Sequence, residues 1–155
     1  MASLISAELA RRIEDQLREL HGPALEGLRF RAEGWREPTR VLVRFTLERP
    51  DKTLHYPMEA GVTLEDDDVG ANAVEEALWL AIDFLGWYVE QYLHSRGESL
   101  LPLDWKAMQF GERELYARGW ERNLALEEAA DRFLAGEPVD VPECVEDRVR
   151  RRKRH

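Results

Sequence analysis

One segment constrains this chain more than any other: the stretch from Ala71 to Ser95, which reads as a single long helix with apolar residues on both sides. At about 100° per residue, Val74, Leu78, Ala81, Ile82, Leu85, Tyr88, Val89 and Tyr92 form one broad apolar face, wide enough to require a sheet beneath it. The opposite face carries Glu76, Asp83, Glu90 and His94, but also Trp79, Leu80 and Trp87. A face meant only for water rarely holds two indoles, so this side is expected to meet something as well. Three covers are open: another helix of the same chain, a second copy of the protein, or a ligand. Symmetric dimers are the commonest oligomers and Trp is enriched at interface cores. On that ground Trp79, Leu80, Asp83, Trp87, Glu90 and His94 are the candidate interface residues.

The sheet is found upstream. Leu28, Phe30 and Ala32 alternate with charged residues; so do Val41, Val43, Phe45 and Leu47 with Leu42, Arg44, Thr46 and Glu48. A third run, Leu54 to Val62, alternates in the same way, and period two predicts antiparallel strands with one dry face. Pro57 has no N–H to give a ladder, which places the third strand at an edge or a bulge. Ahead of these strands, Ser6 caps a helix from Ala7 to Leu20 whose stripe is Leu9, Ile13, Leu17 and Leu20; His21-Gly22-Pro23 ends it. The acids Glu65 to Asp68 suit the start of the long helix, and one of them is a candidate cap. Beyond Gly97, Asp104 to Phe110 and Glu114 to Arg118 read as two strands, with a helix as the competing assignment. Asn123 caps a last helix, Leu124 to Leu134, expected to turn Leu126, Ala130, Phe133 and Leu134 inward. The fold class is therefore α+β, in the order α-β-β-β-α-β-β-α. Residues 1–136 are expected to form a single domain and residues 137–155 a mobile tail with a basic end.

Charge limits the partners. The 155 residues hold 22 basic and 31 acidic side chains, net −9, and six of the cations crowd the end: Arg148, Arg150, Arg151, Arg152, Lys153 and Arg154. Setting those six aside deepens the balance from −9 to −15, a body that repels a phosphate backbone. The tail is either a solvated end or a contact for an anionic partner. The acid-and-indole face of a neighbouring copy offers it charge pairing and cation–π contacts. Cys144 is the only cysteine, so no intrachain disulfide exists, and no signal segment or bilayer-length apolar run is visible. A cytoplasmic protein without membrane contact is the expectation.

Motifs that carry chemistry are absent. Glu90 and His94 lie four apart, as helix-borne metal ligands do, but no second Glu/His pair at helical spacing supplies the remaining ligands, so no metal and no cofactor are expected. Glu65 to Glu76 is superficially similar to a calcium loop, yet Val69 stands at its fifth place and a strand leads in. Cys144 sits among acids that disfavour its thiolate, and none of the serines has a nucleophile-elbow context. No catalytic residue is assigned.

The order of elements resembles that of type III secretion chaperones and their relatives, over most of the chain and without any shared residue motif. The resemblance implies a small, acidic, homodimeric module that binds another polypeptide through sheet edges or apolar patches. The αβββα start is also similar to double-stranded-RNA binders, but the acidic body lacks their basic helix. The alternative is a ligand-binding domain or enzyme with a pocket beside the long helix. It requires Asp83, Glu90, His94 and Arg118 to converge on one cavity.

Overall fold

The alternating stretches do form one antiparallel sheet, and the long helix packs across it. In the computed structural model, which describes residues 3–65 and 70–138, α1 spans Ala7–Leu25, β1 Arg29–Glu37, β2 Arg40–Glu48 and β3 His55–Thr63. Then come α2 at Ala71–His94, β4 at Lys106–Phe110, β5 at Arg113–Gly119 and α3 at Leu124–Leu134. The strand order across the sheet is β1-β2-β3-β5-β4. The basic positions Arg148, Arg150, Arg151, Arg152, Lys153 and Arg154 lie outside the described residues.

The helix starts follow from their caps. Ser6 Oγ accepts the Leu9 N–H at 3.1 Å, and Asn123 Oδ1 accepts the Leu126 N–H at 3.0 Å. For α2 the cap is Gly70, with no side-chain hydrogen bond, rather than one of the acids before it. α1 does not stop at Leu20. It kinks at His21 (φ −133°, ψ 25°) and makes a further turn to Leu25, with Pro23 inside. Pro23 follows the break so closely that it opens the new turn, where its missing N–H costs nothing. The kink also redirects the stripe: Leu20 is exposed, and Leu25 is buried in its place.

The core lies between α2 and the sheet. Val41, Val43, Phe45 and Leu47 of β2 and Tyr56, Met58, Ala60 and Val62 of β3 are fully buried, facing Ala77, Leu78, Ala81, Ile82, Leu85, Val89 and Tyr92. Each large aliphatic so placed is worth roughly 1.5–3 kcal/mol in removal of apolar surface from water. Tyr56 and Tyr92 stack with ring centroids 4.8 Å apart, and the Tyr56 hydroxyl accepts the Leu101 N–H at 2.9 Å. Burial pushes both phenols above the ordinary tyrosine range. Gly119 makes this fit possible, because a Cβ there would stand 2.9 Å from the Tyr56 hydroxyl oxygen.

β3 is an interior strand between β2 and β5, not an edge. Pro57 sits at the end of the β3–β5 ladder. Its carbonyl still accepts the Trp120 N–H at 3.2 Å and the His55↔Arg122 bridge carries the same register past it, so the single bond its missing N–H would give is the one lost.

Candidate interaction surfaces

The outer side of α2 is half covered by its own chain. α1 runs alongside, and the two helices enclose a hollow of about 270 Å³ bordered by Leu9, Ile13 and Leu17 on one wall and Trp79, Asp83 and Trp87 on the other. Trp79 remains 40% exposed and Trp87 54%. Trp87 leans on Phe84 and Tyr88, at 6.3 and 5.9 Å between ring centroids. Of the six positions expected on this face, Trp79, Asp83, Trp87 and Glu90 line the groove. Leu80 turns aside, half-buried against the core, and His94 is exposed one turn beyond Glu90.

His94 is not alone there. His21, set by the kink in α1, reaches its ring edge-on to His94 at 5.3 Å. His21, Glu90 and His94 bring their ligand atoms within 4.8 Å of one another. The sequence concealed this trio because His21 lies in another helix, at no fixed spacing from Glu90. Arg118, by contrast, lies elsewhere. It alternates with inward-facing Ala117 on β5, so its side chain leaves the opposite face of the sheet, where it binds Glu59. Asp83, Glu90, His94 and Arg118 do not converge, which removes the cation from the expected pocket.

That opposite face is drier than the alternation predicts. Leu42, Thr46, Pro57, Glu59 and Gly61 are buried although they alternate with the residues that face α2 and so lie on the other side of the sheet. Glu59 is 1% exposed and takes Arg44 on one oxygen and Arg118 on the other, the Nε distances being 2.8 and 2.9 Å. The register makes this inevitable, since Glu59 stands directly opposite Arg44 on β2 and Arg118 on β5. Indoles then roof the guanidiniums: Trp35 over Arg44, and Trp105 over Arg118 and Arg40, at 4.3–5.3 Å. The layer sets one buried carboxylate against two guanidiniums under aromatic cover, which leaves one positive charge over, and the Arg44 and Arg118 side chains remain 39% and 36% exposed.

α3 is the opposite case. It is amphipathic and capped, yet none of its residues is buried; Phe133 is 54% exposed and Leu134 82%. Of the residues expected to turn inward, Leu126 and Ala130 are half-buried, whereas Phe133 and Leu134 are exposed among the described residues. The helix is tethered at its start, where the Lys52 carbonyl of the β2–β3 turn accepts the Ala125 N–H, Lys52 pairs with Glu128 at 2.8 Å and Arg122 pairs with Glu127 at 2.7 Å. Leu100 and Leu103, which border a hollow with Arg122 and Glu127, are also exposed, at 45% and 52%.

Comparison of the chain with protein families, with characterised proteins and with solved structures finds no match. No helix among the described residues is long and apolar enough to cross a membrane.

Proposed function

We propose that this protein is a homodimeric, non-catalytic protein-interaction module of the cytoplasm, with a second copy seated on α3 and an extended polypeptide as its client. One observation carries the reading: an 11-residue, well-capped helix with no fully buried residue, whose Phe133 and Leu134 stand exposed. Helices this short are marginal in water unless an apolar face is covered. Leu100 and Leu103, also exposed, border a hollow with Arg122 and Glu127 at the start of α3, and exposed apolar side chains of this kind mark interaction sites. A two-fold copy suits it, because antiparallel pairing sets Arg132 in the last turn of one α3 near Glu127 in the first turn of the other.

The client is argued from the edges of the sheet. β1 presents Arg29, Arg31, Glu33, Arg36 and Glu37 along its length, a charged edge that discourages pairing. β4 carries one charge in five residues and leaves Phe110 43% exposed, so it is the edge suited to strand addition. The shared element order with secretion chaperones supports the same reading, whereas the −15 body argues against nucleic acid. An enzymatic or ligand pocket beside α2 retains the α1–α2 groove in its favour but not Arg118.

Sedimentation velocity tests the assembly. The native chain should sediment at twice the 18.1 kDa of one copy, and Phe133→Glu with Leu134→Glu should return it to a folded monomer. A monomeric native chain would refute the proposal.

A further inference from the structure

The trio at the junction of α1 and α2 is a metal site in the making. We infer that His21, Glu90 and His94 bind one divalent ion of the zinc class, with water in a fourth position. This is independent of the dimer: the site lies on the other helices, and mass does not report on it.

Donor chemistry comes first. Two imidazoles and one carboxylate are a recurrent set for zinc and neighbouring first-row ions, while magnesium and calcium prefer oxygen alone. Placement comes second. Glu90 and His94 project from adjacent turns of α2, a rigid rod buried along its other side. The third ligand arrives from α1 at its one non-helical residue, so the break in α1 is what turns His21 toward α2. Among the described residues, none of the three side chains has a hydrogen bond or ion pair to protein, so no existing partner must be given up. Distance comes third. Ligands about 2.0–2.1 Å from a tetrahedral ion sit about 3.4 Å apart. The present separations of up to 4.8 Å close to that value by rotation of the exposed His94 and half-buried Glu90 side chains.

Occupation would pin the last turn of α1 to α2 and shape the end of the Trp79–Trp87 groove. The fourth position stays open to water on the exposed side.

The test is titration of the full, tag-free, chelator-treated chain with Zn²⁺ by calorimetry, and with Co²⁺ by visible absorption. One equivalent should bind, the Co²⁺ bands should be those of a four-coordinate site, and Mg²⁺ should give no signal. Zn²⁺ should raise the melting temperature. His21→Ala, Glu90→Gln and His94→Ala should each weaken binding at least about tenfold, the loss that even outer-shell changes produce. Each should keep the native far-UV spectrum in chelator. Cys144→Ser and His155→Ala are the controls and should bind as the native chain does. Absence of saturable binding would overturn the inference. So would binding that survives all three substitutions or disappears in the controls.

Discussion

α2 and α3 announce themselves in the same way and end differently. Both are amphipathic and both follow a recognisable start, yet α2 buries seven side chains against the sheet while α3 buries none. Amphipathy therefore reports that a face needs covering. It does not report what covers it. For α2 the cover is β2 and β3 on one side and, in part, α1 on the other. For α3 the described chain half-buries Leu124, Leu126 and Ala130 and ties the start through Lys52 and Glu128, leaving Phe133 and Leu134 exposed.

Substitutions break or sharpen this contrast. Leu85→Asp has the largest effect, because it places an unpaired charge at a fully buried point of the α2–sheet contact. Loss of the cooperative thermal transition is expected, and a normal melt would mean that the helical phase of α2 is wrong. Charges placed at Phe133 and Leu134 should leave the melt of the body intact, since both side chains are exposed.

Next is the far side of the sheet. Arg44→Ala combined with Arg118→Ala strands the Glu59 carboxylate and should cost about 3 kcal/mol in urea unfolding, the lower end for an abandoned buried charge because water gains entry. A cost below about 1 kcal/mol would show that the roofed layer contributes little.

Asn123→Ala removes the α3 cap and should cost about 1 kcal/mol of helix stability. With no α3 side chain fully buried, that loss should appear mainly as weaker self-association, while the melting temperature of a dilute monomer changes little. Deletion of residues 148–155 should have the smallest effect, a weakening of self-association confined to low salt, as a screened contact between a basic tail and the acid-and-indole face requires. An unchanged sedimentation coefficient at low salt would dispose of the tail contact.

Elements were legible where one local signal decided them. Period two in Val41–Leu47 and the caps at Ser6 and Asn123 needed only neighbours in sequence. What stayed hidden depended on register or on contact between distant elements. Glu59 looked like an ordinary polar residue of β3 until pairing set Arg44 and Arg118 on either side. Pro57 suggested an edge or a bulge, and the strand is neither: the register runs unbroken on the β2 side and Pro57 falls where the β5 ladder ends. His21 looked like a helix terminator, and it is also the break that carries an imidazole to Glu90 and His94. Four residues with suitable chemistry, Asp83, Glu90, His94 and Arg118, suggested a shared pocket, and strand parity sends the arginine through the other side of the sheet.

The central claim is that α3 is held by another copy. Amide hydrogen exchange across Leu124–Leu134, followed as the protein is diluted, tests it most directly. Protection that is strong when the chain is concentrated and vanishes on dilution is the expected result. Protection that persists unchanged at every concentration, as cover by the chain's own residues would give, or no protection at all, would contradict it.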